Sequence, residues 1–164
     1  MPPLFNTPFG LKIDVRSLVG ELIRFIRERP GSFYKIIIGT DSEQFLDKSA
    51  DFVTAVVIHR VGNGGRYFWR RADPAVAGGK FHTLRDRIIK EVLLSLEVAK
   101  EVLVELRKET EFTNWDFEIH ADIGEVGETR VLIQEVVGMI RANNFEVKTK
   151  PESYAASKVA DRHV

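Results

Sequence analysis

Hydrophobic residues recur along the chain with two periods, one typical of strands and the other of helices. The segment 34–42 starts with Tyr, Lys and three consecutive Ile, and it reaches Asp41 through Gly and Thr. Such an apolar run predicts a strand buried on both faces, in the middle of a sheet. Burying an unpaired charge is strongly unfavourable, so Asp41 at the end of this strand needs a cation or a set of hydrogen-bond donors.

Further periodic segments predict four more strands and four helices. Asp14 or Ser17 can cap the first helix, Thr83 with Asp86 the second, and Thr129 the third. Residues 1–12 carry three prolines and no periodicity, which indicates an irregular arm. The predicted strands are 34–42, 52–59, 66–70, 115–122 and 145–150, and the predicted helices are 14–30, 83–108, 129–140 and 154–162.

The order of these elements predicts one α/β domain over residues 1–164. Three strands joined by short turns come first and strand–helix alternation follows, which indicates a five-stranded mixed sheet with helices on its faces and an extra N-terminal helix. If the first strand is central, strand 115–122 lies parallel beside it. Asp41 and Asp122 then meet at the carboxyl ends of neighbouring strands, where open α/β sheets usually place their sites.

Composition restricts the function classes. The 164 residues contain 44% hydrophobic and 29% charged residues, no net charge and no cysteine. The absence of cysteine excludes disulfides and thiolate chemistry. No apolar run approaches the roughly 18 residues of a membrane span. We therefore expect a soluble cytoplasmic protein without a membrane partner.

Four acidic residues can converge near the end of the central strand pair. Asp41 and Asp122 end predicted strands, Glu91 lies in the apolar stripe of helix 83–108, and Asp161 lies on the last helix beside Ala155, Ala156 and Ala160. Clustered carboxylates repel one another unless a cation sits among them, and oxygen ligands suit Mg²⁺ or Mn²⁺. Two such ions, roughly 4 Å apart, serve phosphodiester hydrolysis.

Each of these residues also has a simpler interpretation. Asp122 suits a turn or cap, Glu91 a helix surface, and Asp161 a solvated helix end. Three further residues near these positions have both a site interpretation and a structural one. They are Glu43 as a ligand or a solvated edge residue, His120 as a metal or substrate contact or a sheet histidine, and His163 as a proton relay or an exposed side chain.

Several motifs resemble the YkuK group, a family of small bacterial ribonuclease H-like proteins. The matching segments run from about residue 34 to residue 164 and are Ile38-Gly39-Thr40-Asp41-Ser42, Leu84-Arg85-Asp86-Arg87-Ile88 with Glu91 and Ser95-Leu96-Glu97, His120-Ala121-Asp122-Ile123-Gly124, Gly127-Glu128-Thr129-Arg130, Lys150 to Ser157, and Val159-Ala160-Asp161.

The resemblance implies a ribonuclease H-type fold. In that superfold the metal-binding carboxylates come from the first strand, the first long helix, the fourth strand and the last helix. Asp41, Glu91, Asp122 and Asp161 match these places as metal ligands and catalytic residues. Glu91 lies further into its helix than the usual position. Activity does not follow from the fold, because the superfold includes nucleases, recombinases and catalytically silent domains.

A basic segment offers a surface for nucleic acid. Residues 59–90 contain eight Lys or Arg against two Asp or Glu, a net charge of +6. Cations for phosphates and aromatic faces for bases are what such a surface requires. The alternative is that the aromatics belong to the core and the charges protect an edge strand. The predicted binding residues are Arg66, Arg70, Arg71, Lys80 and Arg85, interleaved with Tyr67, Phe68, Trp69 and Phe81.

Three functions from different classes follow from these patterns. The first is a divalent-metal-dependent nuclease that hydrolyses RNA or DNA with water as the nucleophile. The second is a catalytically silent nucleic-acid-binding or scaffolding protein on the same fold. The third, an ATP-hydrolysing relative of sugar kinases and actin, has weak support, since the loop 122–129 is only faintly like a phosphate loop and a second domain is lacking.

Overall fold

A computed structural model describes residues 3–164, apart from the side chains of Val76, Ala156 and Ser157. The described chain forms one sheet with helices packed on it. The strands are β1 Phe5–Asn6, β2 Lys12–Ile13, β3 Tyr34–Gln44, β4 Ala50–Arg60, β5 Gly65–Arg71, β6 Trp115–His120 and β7 Glu146–Lys148, and the helices are α1 Val15–Glu28, α2 Pro74–Ala77, α3 Leu84–Leu106 and α4 Ile133–Ala142.

The strand starting at Tyr34 is central, as its apolar sequence predicts. The order across the sheet is β2-β1-β5-β4-β3-β6-β7. Strand β3 pairs antiparallel with β4 on one side and parallel with β6 on the other. The prediction of a mixed sheet whose fourth long strand lies parallel beside the first is confirmed.

The sheet has seven strands, so the predicted number of five was wrong by two. Part of the arm predicted to be irregular forms the short strands β1 and β2, which pair with each other, and Asn6 extends the sheet by pairing with Trp69. Phe5 anchors this hairpin because its side chain is fully buried. Strands of two residues are too short to show a period of two.

Helices cover both faces of the sheet. On β3, Ile36 and Ile38 belong to the larger core, which the side chains of α1, α3 and α4 complete. Ile37 points to the opposite face, where the main packing partners are Ala155 and Ala160. The alternation of side chains along β3 therefore places its isoleucines in two different cores.

The predicted caps have different outcomes. Asp14 accepts a hydrogen bond from Ser17 N at 2.8 Å, and Thr83 accepts one from Asp86 N at 3.0 Å, so these two caps are confirmed. Thr129 does not cap α4, which begins at Ile133 after a 3₁₀ turn, Arg130–Leu132. Its hydroxyl accepts a hydrogen bond from Gly124 N at 3.1 Å instead.

The last predicted helix is not an α-helix. It is a π-helix, Ala155–Ala160, which continues into a 3₁₀ turn, Asp161–His163. Between β5 and α3, outside the predicted helices, lies the single-turn helix α2, which Asp73 caps. Within residues 3–164, no helix is long and apolar enough to cross a membrane.

Candidate functional site

Asp41 and Asp122 lie on the same side of the sheet, where the paired segment of β3 and β6 ends. The parallel pairing of β3 with β6 ends at Gly39 and His120, and each acid lies two residues further along its chain. Because the strands are parallel, both acids follow the last paired residues in the same register, although β3 itself continues beside β4 to Gln44. After burial and the hydrogen bond with Asp161, the negative charge of Asp122 also contributes to the raised pKa of Asp41.

Glu91 approaches this edge from α3. Its side chain is buried, with 6% exposure. Ser42 Oγ donates a hydrogen bond to Glu91 Oε2 at 2.5 Å, and Ser42 N donates one to Asp41 Oδ1 at 2.9 Å. Ser42 therefore holds the two carboxyl groups in fixed positions relative to each other.

Asp161 reaches the site from the opposite face of the sheet. Its carboxyl group is hydrogen-bonded to that of Asp41. Ala155 and Ala160 are fully buried, and their small size allows the π-helix to pack closely on the sheet. The third residue of the predicted small surface, Ala156, has a side chain outside the described part of the molecule.

Two of the carboxyl groups, those of Asp41 and Glu91, have raised pKa values, chiefly because of burial. Burial, the hydrogen bond with Asp161 and the charges of Asp122 and Asp161 raise the pKa of Asp41 to about 7. Burial, together with the charges of Asp41 and Asp122, raises the pKa of Glu91 to about 8. Shifts of this size are typical of clustered carboxylates that lack a neutralising cation.

The donor set suits a hard divalent cation. All four side chains offer oxygen, the ligand that Mg²⁺ and Mn²⁺ prefer. Asp122 Oδ1 is buried and accepts no hydrogen bond from the described residues, so it has free lone pairs. Among these residues no group of three or more His, Asp or Glu is already arranged to hold a metal ion. The residues present fit a cation in their chemistry, and the side chains would have to adjust around it.

Two cations, Lys150 and Arg87, lie beside the acids. Lys150 Nζ is 3.5 Å from Asp122 Oδ1. Arg87 precedes Glu91 by one helical turn, and its charge opposes the rise in the pKa of Glu91. Arg87 Nε is buried and donates no hydrogen bond to any described residue. The spacing of four residues between Arg87 and Glu91 was the signal in the sequence.

Gly124 lets Lys150 approach Asp122. Lys150 N donates a hydrogen bond to Ile123 O at 2.7 Å, which brings the Lys150 side chain against Gly124. A methyl group added at Gly124 would lie 2.9 Å from Lys150 Cβ. Since Cβ is fixed to the backbone, the lysine segment would have to move.

We expect Gly124→Ala to destabilise the protein by about 1–3 kcal/mol, the usual result of overpacking. Urea denaturation measures the change. Gly138→Ala is the matched control, because a methyl group there meets nothing within 4 Å and α4 gains helix propensity of up to about 1 kcal/mol. Equal stability of Gly124→Ala and wild type would contradict the close packing described.

Three neighbouring residues have structural surroundings. His120 Nε2 is 2.9 Å from Glu118 Oε1, and its Nδ1 accepts a hydrogen bond from Ala155 N at 3.2 Å. His120 is thus a hydrogen-bonded sheet histidine. Glu43 is exposed at the strand end, as expected for a solvated edge residue. His163 is partly buried, and it stacks on Trp69.

The predicted nucleic-acid residues do not form one continuous surface. Along β5 they alternate between faces: Phe68 is in the larger core, whereas Tyr67 and Trp69 pack against the opposite one. All five cations have partners. Arg66 lies over the Phe25 ring, Arg70 pairs with Glu101 at 3.0 Å, and Arg85 pairs with Glu135. Arg71 pairs with Asp51 and donates a hydrogen bond to His163 O at 2.8 Å, and Lys80 donates one to Asp47 O at 2.7 Å.

Comparisons with known proteins agree with this architecture. The family described as Ribonuclease H-like matches residues 17–164. The chain is 34% identical over 168 residues to "Uncharacterized protein YkuK" of Bacillus subtilis (strain 168), and the match covers 97% of this chain and 95% of that protein. No solved structure gave a significant match.

The fold, the position of the acidic residues at the ends of β3 and β6, and the match over residues 17–164 agree with one another. The chain is a member of the ribonuclease H-like family.

Proposed function

We propose that this protein is a divalent-metal-dependent nuclease that hydrolyses phosphodiester bonds in RNA or DNA. The observation that supports the proposal is the electrostatic interaction of four acidic residues on β3, α3, the segment after β6 and the 3₁₀ turn. Asp41, which is hydrogen-bonded to Asp161, is partly buried and Glu91 is buried, and both have pKa values raised further by the negative charge of Asp122. A folded protein gains little from such mutual repulsion unless a cation relieves it. The cluster is therefore best explained as a cation site.

The roles follow from the contacts. Asp41 and Asp122 would be the principal ligands of Mg²⁺ or Mn²⁺, and Glu91 and Asp161 would complete the set. Bound divalent ions supply activation of a water molecule and stabilisation of the leaving oxygen. Ser42 positions Glu91 and Asp41 through its two hydrogen bonds.

Lys150 and Arg87 would bind phosphate oxygens beside the acids. Both carry a positive charge next to the carboxyl cluster, through the contacts with Asp122 and Glu91. Charge-assisted hydrogen bonds to phosphate are among the strong ones in proteins. Since water is the nucleophile, we expect no covalent intermediate between enzyme and substrate.

A catalytically silent nucleic-acid-binding protein is the second candidate. The observation in its favour is that the described carboxyl groups do not form a ready arrangement for metal, and that Asp41 and Asp161 share a hydrogen bond. In that case the hydrogen bond between Asp41 and Asp161 would hold the last turn against the sheet. The two candidates differ in turnover, which is measurable.

Cleavage of single-stranded RNA, single-stranded DNA and an RNA–DNA hybrid, each with Mg²⁺, with Mn²⁺ and with EDTA, tests the proposal. We expect cleavage of at least one substrate with a divalent ion and none with EDTA. Binding of nucleic acid without cleavage under any of these conditions would support the silent protein.

A further inference from the structure

The face of β5 that points away from the larger core carries an aromatic stack that has no role in the proposed chemistry. The His163 ring lies 3.8 Å from the Trp69 ring at an interplanar angle of 9°, which is a parallel stack. Tyr67 extends the stack, with its ring 5.8 Å from Trp69 and 5.7 Å from His163. A planar nitrogen heterocycle thus already occupies the face of a tryptophan, in the geometry that a nucleobase adopts on an aromatic side chain.

The His163 ring is held there by few polar contacts. Its Nε2 is buried and has no hydrogen-bond partner in the described part of the chain. A buried nitrogen without a partner is unfavourable, and replacing the ring by another group would relieve it.

Two cations flank the stack where a phosphate backbone would run. Arg71 donates a hydrogen bond to His163 O, and Arg162 lies 6.0 Å from the centre of the Tyr67 ring. Arg162 is exposed. Aromatic faces next to arginines are the combination that proteins use to bind single-stranded nucleic acid.

The stack is close to the carboxyl cluster. Asp41 and Arg71 both pair with Val53, from opposite sides of β4. They lie two strands apart, so their backbones are separated by about 10 Å. Asp161, hydrogen-bonded to Asp41, precedes His163 by two residues in the same turn.

We propose that the face of Trp69 covered by His163 is a stacking subsite for one base of a single-stranded nucleic acid, and that the incoming base displaces the His163 ring. The subsite rests on the proposed function, because it would hold a nucleotide next to the phosphodiester presented to the carboxyl cluster. Displacement also moves the turn that carries Asp161.

Tryptophan fluorescence tests the subsite without any cleavage. The chain has two tryptophans, so Trp115→Phe leaves Trp69 as the reporter. We expect a short single-stranded oligothymidylate, added in EDTA, to change the Trp69 emission, and a duplex of the same length to leave it unchanged. His163→Ala should bind the oligonucleotide several-fold more tightly, since the competing ring is gone. Fluorescence anisotropy of a labelled oligonucleotide, which does not depend on Trp69 emission, should show roughly tenfold weaker binding by Trp69→Ala.

His163→Phe is the matched control, because a phenyl ring keeps the stack covered. It should bind no more tightly than wild type. An unchanged Trp69 emission at saturating oligonucleotide, or an affinity of His163→Ala no higher than that of wild type, would overturn the subsite. Metal-dependent cleavage without a Trp69 response would reject the subsite and leave the proposed nuclease activity supported. A Trp69 response without cleavage would reject the nuclease activity and leave the subsite supported.

Discussion

Asp41→Asn is expected to reduce metal-dependent cleavage by at least about 100-fold while leaving the metal-free protein as stable as wild type or more stable. Loss of a residue that merely supports a ligand costs 10- to 100-fold, so loss of a principal ligand should cost more. The free energy of unfolding of the metal-free protein is expected to stay the same or rise, because the amide removes one charge from the cluster. Its NH₂ group can also donate to the Asp161 carboxylate, which accepts a hydrogen bond in place of the shared proton.

Cleavage rates in Mn²⁺ and urea denaturation in EDTA measure the two effects. Asp116→Asn is the matched control, since Asp116 is an exposed carboxylate on β6, away from the cluster. It should change neither quantity. If Asp41→Asn cleaves at the wild-type rate, Asp41 is not a metal ligand, and if it unfolds more readily, the carboxyl repulsion is not the dominant effect at this position.

Glu91→Gln should make the protein more stable above about pH 8 and flatten the dependence of its stability on pH. The pKa of Glu91 is raised from 4.5 to about 8 by burial and by the charges of Asp41 and Asp122. Between these values the folded protein binds more protons than the unfolded chain, so the free energy of unfolding of the wild type falls as pH rises. The penalty is absent below pH 4.5 and complete above about pH 8.

Glutamine stays neutral throughout and can still accept the Ser42 hydroxyl hydrogen bond. The expected gain at high pH is on the order of a few kcal/mol. Urea denaturation in EDTA over a pH series measures it. Glu97→Gln, an exposed position on the same helix, is the control and should leave the slope unchanged. A wild-type stability that stays level or rises between pH 5 and pH 8, with the same slope in Glu91→Gln, would contradict the burial of this carboxyl group among acids.

The centre of the fold could be predicted from the sequence because its residues carry strong, long signals. Tyr34 and the three isoleucines after Lys35 indicate a strand buried on both faces, and the structure buries all four. The parallel placement of the strand ending at His120 followed from the order of elements, and the pairing of Gly39 with His120 confirms it.

The rest depended on contacts that leave little trace in a pattern. Strands β1 and β2 are two residues long, and Phe5 forms its contacts with distant parts of the chain. The last helix has helical spacing, but the sequence does not distinguish an α-helix from the π-helix that sets the position of Asp161. The hydroxyl of Ser42 connects β3 to Glu91, a contact that no periodicity in the sequence indicates.

The basic residues of β5 lie on two different faces of the strand, which its alternation predicts. A period of two along β5 places Tyr67, Trp69 and Arg71 on one face and Arg66 and Arg70 on the other. Charge counting over residues 59–90 combines both faces into one surface. The stacking of Trp69 with His163 distinguishes the two faces. The face with Trp69 is the one next to the turn that carries Asp161.

The most direct test of the cation site is a crystal structure of the protein grown with Mn²⁺, with anomalous scattering collected to locate the ion. We predict Mn²⁺ bound by carboxylate oxygens of Asp41 and Asp122 at about 2.0–2.2 Å, with Glu91 or Asp161 among the remaining ligands or their hydrogen-bond partners. A structure that shows no anomalous peak between Asp41 and Asp122 at saturating Mn²⁺, with the two carboxyl groups more than about 8 Å apart, would contradict the account.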